Sequence, residues 1–278
     1  MDESFIQTTD STLTIKDWTK INPELVAGFT TKHGGTSHFP YKSNNFGLHV
    51  GDEGHNVITN RQQLADQLGF SLENWVCADQ VHEDQIVKVS SVLTGSGVDD
   101  YNDSIKGTDG FYTNQKDILL TLCYADCVPV YFFAPNYHMI GIAHAGWKGT
   151  VKNISGKMVQ LWDMMEKIPP SEIYVTIGPS INQCCYIVDD HVINEVDKVL
   201  EAVSFTTSPY EQISDGQYRL DLKSVNYLLL LHAGIQEDHL LTSNFCTSCD
   251  NDLFFSHRAD QGKTGRMISY IGFYNQYK

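Results

Sequence analysis

The sequence predicts an α+β fold in a single domain, built of mixed β-sheets and helices, and three observations carry that reading. Short β-branched and aromatic runs outnumber the helical patterns and are interspersed with them. Two of the runs, "DILLTLCY" (117–124) and "VPVYFFA" (128–134), follow each other with no room for a crossover helix, which argues against a doubly wound parallel sheet. No internal repeat, low-complexity run or Pro/Gly-rich linker divides residues 1–278.

Along the chain, residues 56–68 place Val57, Leu64 and Leu68 near one helical face, and Gly69 follows as a stop. Strand-like runs follow: "WVCADQVH" (75–82), "DQIVKVS" (84–90), "DILLTLCY", "VPVYFFA" and "MIGIAHA" (139–145). Several are apolar at consecutive positions, which predicts cover on both faces. Residues 151–168 give the clearest helix: Val151, Ile154, Met158, Leu161, Met165 and Ile168 recur at three- and four-residue steps. Thr150 is its predicted N-cap and Pro169-Pro170 its stop. "EIYVTIG" (172–178) is a further strand, and helices are predicted at 190–203 and 221–233. Asp221 caps the second of these and Gly234 ends it. "MISYIGFY" (267–274) is the last strand. The overlapping aromatics of "YIGFYNQY" suit the interface of a homodimer as readily as a core.

The bulk properties exclude several function classes. A hydrophobic content of 41% with 19% charged residues is globular rather than disordered. The formal net charge of −15 disfavours non-specific binding to nucleic acid or to anionic lipid. The longest apolar stretches are too short to cross a bilayer. The N-terminal "MDESFIQTTD" lacks the apolar core of a signal peptide, and the seven cysteines are an odd number. Both point to a cytoplasmic protein with reduced thiols.

The chemistry-bearing residues stand at the ends of the apolar runs. "GIAHAGWKGT" (141–150) fails the P-loop template, because Trp147 occupies the lysine position and Lys148 comes one residue late. Instead His82 ends "WVCADQVH", Cys127 lies between two apolar runs, and His144 ends "MIGIAHA". Two imidazoles and a thiolate suit zinc, with a fourth position left open as in catalytic sites. Their separations match no short ligand motif, and spacing alone favours hydrogen-bonded histidines beside a core cysteine. The lone C-x-x-C at Cys246–Cys249 lacks a matching second half and reads as no zinc knuckle. Of four arginines, Arg258 and Arg266 fall in "FFSHRADQGKTGR" and Arg61 in a helix. With Lys148 they could form an anion pocket in an acidic protein, although each alone reads as surface charge. Cys246, Asp250 and His257 could also make a nucleophile, orienter and base.

The ordered motifs "TKHGGTS", "NNFGLHVGD", "NRQQL", "QVH", "TDGFYT", "ADCVPV", "HAGWKGT", "IGPSINQCCY" and "CTSCDNDLFFSHRADQGKTGR" run over roughly residues 28–274. Together they closely resemble the laccase-domain family, once called multicopper polyphenol oxidoreductases and now described as purine nucleoside phosphorylases with adenosine deaminase activity. The resemblance implies a one-domain sandwich of mixed sheets covered by helices. It implies zinc, with copper as the alternative ion, on His82, Cys127 and His144. It marks His33, Asn45, Arg61, Lys148, Cys246, Asp250 and Arg258 as pocket residues, with Arg61 and Lys148 also serving catalysis. The implied partners are purine nucleosides (adenosine, inosine and 5′-methylthioadenosine) and inorganic phosphate. Two positions depart from the family pattern: Ile187 stands where many members carry a carboxylate, and Ala259 where many carry a second basic residue. Three other readings remain: a copper-dependent polyphenol oxidase, a Cys–His amide or peptide hydrolase using Cys127 or Cys246, and an interaction protein with a closed structural metal site.

Overall fold

The computed structural model describes residues 3–275. Fifteen strands are described in chain order: β1 (Phe5–Gln7), β2 (Thr12–Ile15), β3 (Leu25–Thr30), β4 (Trp75–Val76), β5 (Ile86–Lys88), β6 (Gly110–Thr113), β7 (Leu119–Tyr124) and β8 (Val128–Ala134). They continue as β9 (Met139–Ala145), β10 (Tyr174–Ile177), β11 (Ile187–Val188), β12 (Tyr210–Ser214), β13 (Gln217–Leu220), β14 (Leu240–Thr242) and β15 (Met267–Phe273). The helices are α1 (Trp18–Ile21), α2 (Gly54–Leu68), α3 (Trp147–Val151), α4 (Ile154–Leu161), α5 (Asp190–Leu200) and α6 (Leu222–His232).

Two six-stranded sheets, ordered β1-β2-β3-β15-β7-β4 and β14-β10-β8-β9-β6-β5, form the frame, and β11-β13-β12 make a small third sheet. Both large sheets are mixed: β4–β7, β5–β6 and β10–β14 are parallel pairs beside antiparallel ones such as β8–β9 and β7–β15. Alternate residues of each central strand face opposite ways. Leu120 and Leu122 of β7 thus meet Tyr131 and Phe133 of β8 and Ile140 and Ile142 of β9 between the sheets. On the outer face of the first sheet, Leu119 and Ile268 meet Leu64 and Leu68 of α2. On the outer face of the second, Val130 and Phe132 meet Met158 of α4, Val196 of α5 and Leu229 of α6. The layers are therefore helix, sheet, sheet, helices. The double cover explains the consecutive apolar positions, and each fully buried large side chain contributes about 1.5–3 kcal/mol.

Some expectations change. The helix at 151–168 is divided. Thr150 lies inside α3, and Asn153, with φ 57°, breaks the chain and caps α4 through its side chain on the Gly156 N–H. A π-type turn at Trp162–Glu166 then inserts a residue per turn, so Trp162 is buried while Met165 points to solvent. "WVCADQVH" is a strand only at β4, leaving His82 on a turn. Of the aromatics of "YIGFYNQY", Tyr270 and Phe273 are buried in β15, and the half-buried Tyr274 packs on Phe70. Gln276 and Tyr277 lie outside the described residues. The helices at 56–68 and 221–233 form as expected, the second capped by Asp221 on the Ser224 N–H. Of the described helices, none is long and apolar enough to cross a membrane.

Candidate metal centre and its pocket

Residues 125–127 do not turn a hairpin. β7 lies in one large sheet and β8 in the other, so this link carries the chain between them at one end of the sandwich. Asp126 takes φ 88° there, and its carboxylate accepts from Thr247 Oγ1 (2.7 Å), Ser256 Oγ (3.1 Å) and the Arg258 N–H (2.7 Å). Cys127 is thereby set beside His144, which pairs with Pro129 near the end of β9. His82 approaches from its own turn at φ 61°. One ligand atom from each of His82, Cys127 and His144 lies within 4.8 Å of the others, and the two imidazoles meet edge to face at 4.8 Å.

Asp109, fully buried just before β6, orients both histidines. Its Oδ1 lies 2.8 Å from His144 Nδ1, which leaves Nε2 for the thiol side. The same carboxylate accepts the backbone N–H groups of Val81 (3.2 Å), His82 (3.1 Å) and Glu83 (2.9 Å), holding the left-handed turn at His82. A carboxylate behind a ligating imidazole fixes its tautomer and raises its basicity.

The two glycines of "GIAHAGWKGT" that flank Trp147 and Lys148 also find their reason. A Cβ on Gly146 would stand 3.1 Å from Cys127 Sγ and 3.2 Å from His82 Cδ2. One on Gly149 would stand 3.1 Å from the carbonyl oxygens of Glu83 and His144. The segment has to pass close to Cys127, His82 and the backbone of Glu83 and His144.

Electrostatics fit a thiolate among imidazoles. Burial pushes the Cys127 thiol up, but the charges and hydrogen bonds of His144 and His82 outweigh it and bring it down to about 6. Burial pulls His144 down, but Cys127 and Asp109 raise it to about 9. Burial likewise opposes the Asp109 carboxylate, while His144 and the backbone N–H groups of Glu83 and Val81 hold it below its ordinary value. A soft thiolate, two oriented imidazoles and no carboxylate in the ligand set suit zinc or copper rather than magnesium or calcium.

The trio lies in the wall of a cavity of about 330 Å³, within the range of small-molecule sites. Arg258 and Arg266 also line it, with His49, Tyr186 and His257. The Arg258 guanidinium packs on the Tyr186 ring at 5.3 Å and donates to the carbonyls of Cys185 and Ile187. Burial, then Arg266 and Arg61, bring His49 down to about 4.

The other expected pocket residues separate. Arg61 is buried, gives its guanidinium to the carbonyls of Phe46, Gly97 and Val98 at 2.6–3.2 Å, and does not line this cavity. Lys148 is exposed over Trp147, and His33 is exposed on its loop; neither lines the cavity. Asn45 is buried and positions the pocket from behind, its Oδ1 accepting the N–H of Arg266 (2.9 Å). Asp250 accepts the Cys246 N–H (3.0 Å) as a turn cap, and Cys246 lies in a separate group with Cys184, Cys185 and Cys249. The Cys246, Asp250 and His257 side chains therefore do not assemble as a nucleophile, orienter and base: Cys246 faces other sulfurs, while His257 lines the cavity. Ile187 contributes its carbonyl to Arg258, and Ala259 donates its N–H to Ser256 Oγ. Asp109, His49, Asp126 and Tyr186 stood unremarked inside the quoted motifs; no local spacing singles them out.

The family described as multi-copper polyphenol oxidoreductase laccase matches residues 26–274. A Geobacillus stearothermophilus protein called purine nucleoside phosphorylase YlmD is 51% identical over 247 residues, 89% of each chain. One of the same name from Bacillus subtilis is 46% identical over 271 residues, 96% of each. The crystal structure of YlmD from Geobacillus stearothermophilus superposes with a TM-score of 0.94 at 46% identity, covering 99% of this chain and all of that one. A Neisseria meningitidis protein at 24% identity and TM-score 0.80 shares the fold. The chain belongs to the laccase-like multi-copper polyphenol oxidoreductase family.

Proposed function

We propose that this protein is a zinc-dependent purine nucleoside phosphorylase, acting on adenosine, inosine and 5′-methylthioadenosine. One observation carries the reading: the His82–Cys127–His144 set opens onto a nucleoside-sized cavity that also holds Arg258 and Arg266. The names of the relatives above supply the substrate class. In phosphorolysis a phosphate oxygen bonds to C1′ as the bond from C1′ to the purine nitrogen breaks. The electron pair leaves with the base, which takes up a proton, and ribose 1-phosphate remains. Arg258 and Arg266 line the cavity and each also gives N–H groups to backbone carbonyls; their remaining N–H groups would hold the phosphate. The Tyr186 ring and Ile181 give the cavity apolar wall for the nucleoside. Asp109 keeps His144 in the tautomer that presents Nε2. Zinc held by His82, Cys127 and His144 would supply Lewis-acid polarisation of substrate or water. Adenosine deamination, in which water adds at C6 and ammonia departs, is a second reaction for the same site.

Cys127, His144 and Asp109 also have the makings of a nucleophile, base and orienter for an amide hydrolase. His82 weighs against this, because a second imidazole on the thiolate serves a metal and not an acyl transfer. Polyphenol oxidation through several coppers calls for several imidazole-rich sets; the described residues bring together one such set, and one made of cysteines alone. The test is incubation of zinc-loaded protein with adenosine, with and without phosphate, and separation of the products. Adenine and ribose 1-phosphate should form only with phosphate, and inosine in either case. If neither adenine nor inosine exceeds a Cys127→Ala control, the reading fails.

A further inference from the structure

The C-x-x-C at Cys246–Cys249 does have a second half. Cys184 and Cys185 follow β10, 62 and 61 positions earlier than Cys246, and the fold brings all four together. Cys184 Sγ lies 3.7 Å from Cys185 Sγ, 3.7 Å from Cys246 Sγ and 3.4 Å from Cys249 Sγ. Cys185 and Cys249 are 3.3 Å apart, and all four sulfurs fall within 4.8 Å of one another. A tetrahedral zinc with bonds of about 2.3 Å to sulfur requires edges of about 3.8 Å. A disulfide would need two sulfurs at about 2.05 Å and would give the remaining pair no reason to converge. Cys184 instead has three sulfur neighbours at nearly equal range, the arrangement of a tetrahedron's corner.

The backbone is shaped for a thiolate here. Cys246 Sγ accepts the N–H of Asn182 at 3.3 Å. The 246–250 turn is fixed independently of any ion: Asp250 caps the Cys246 N–H, and the Thr247 N–H donates to the Ser180 carbonyl, tying the two segments together. Cys246 is buried, Cys185 half-buried, and Cys184 and Cys249 are exposed, so an ion can enter from solvent. The buried Lys223 ammonium, donating to the carbonyls of Ser243 and Phe245, stands close enough to feel the Cys246 charge.

We propose that Cys184, Cys185, Cys246 and Cys249 form a second, closed zinc site of four thiolates. Each thiol would release its proton to solvent on binding, and with four protein ligands the ion has no open position, which makes it structural. It would clamp the 181–187 loop to the 246–250 turn. The loop carries Ile181 and Tyr186 into the cavity wall and gives Arg258 the carbonyls of Cys185 and Ile187. The site is independent of the phosphorylase reading.

The test is metal content after purification under reducing, zinc-replete conditions and removal of loosely held ions. Wild type should carry two zinc ions per chain, and Cys127→Ala and Cys184→Ser/Cys249→Ser one each. The Cys127→Ala protein leaves the four cysteines untouched, so it carries the test even if the double variant fails to fold. Its cobalt-substituted form should show thiolate-to-cobalt charge transfer of a four-sulfur site, several-fold stronger than the single-thiolate site of the double variant. Retention of no metal by Cys127→Ala, or disulfides among these cysteines in reduced, folded protein, would overturn the proposal.

Discussion

Asp109→Asn isolates the claim that one buried carboxylate organises two ligands. The replacement is isosteric, so it opens no cavity. Oδ1 serves His144 Nδ1 and the His82 N–H, and Oδ2 serves the N–H groups of Val81 and Glu83. An asparagine has one acceptor oxygen and a donor amide, so one of these pairs must face a donor. If the amide faces Val81 and Glu83, two part-buried N–H groups lose their partner, at about 1–2 kcal/mol each. If it faces His144, the ring must turn Nδ1 into an acceptor, which puts the proton on Nε2 and blocks the ligand. Zinc affinity should fall about 10–100-fold, and the metal-free protein should lose about 2–4 kcal/mol. Competition against a chromophoric chelator reads the first, and denaturant unfolding the second. The loss should also depend on pH. The folded carboxylate is held below its unfolded value of about 3.9, so its contribution is complete above that pH and disappears as pH falls through the lowered folded value. The stability gap between wild type and variant should therefore close in acid. A zinc affinity within twofold of wild type, together with unchanged stability at pH 7, would refute the reasoning.

Four further outcomes follow from the site. In metal-free protein, iodoacetamide should label Cys127 with a rate that rises through a midpoint near pH 6, while the half-buried Cys123, pushed up to about 11 by desolvation, stays unreactive near neutral pH; zinc should protect Cys127. Arg258→Ala should raise the KM for phosphate about 10–100-fold, as expected for a lost charge-assisted hydrogen bond, and the KM for nucleoside less. Arg61→Ala should behave oppositely: three buried carbonyls lose their donor, so stability falls by about 3 kcal/mol or more, with no selective change in phosphate KM. Gly146→Ala should weaken zinc binding measurably, because its methyl group must displace Cys127 Sγ or His82, and mass spectrometry of the native protein will show the lower occupancy.

Much of the frame was legible from pattern. β8 and β9 coincide with "VPVYFFA" and "MIGIAHA", because apolar β-branched runs covered on both faces have one stable use. Strands such as β1 and β12 were not legible; they are short edge segments whose polar faces blur the alternation. The clearest helix in the sequence was the one most altered, since Asn153 and the wide turn at Trp162 shift the phase of a periodicity that only counts residues. In the site, residue chemistry at the ends of apolar runs nominated His82, Cys127 and His144. Asp109 escaped because its partners lie at 81–83 and at 144, on both sides and far away in sequence. Arg61 misled because sequence does not tell an arginine buried behind the cavity from one that lines it. The C-x-x-C was dismissed for want of a second half that lies some 60 residues upstream.

Three side chains closing around one ion, with a corner left for substrate, are the centre of the proposed mechanism. Zinc-edge anomalous diffraction from crystals soaked with inosine and phosphate tests this most directly. The expected result is a peak about 2.0–2.3 Å from the His82 and His144 nitrogens and Cys127 Sγ, with its fourth side toward the cavity. Phosphate should be held by Arg258 and Arg266. A peak absent from that position, or completed there by a fourth protein ligand, would contradict it.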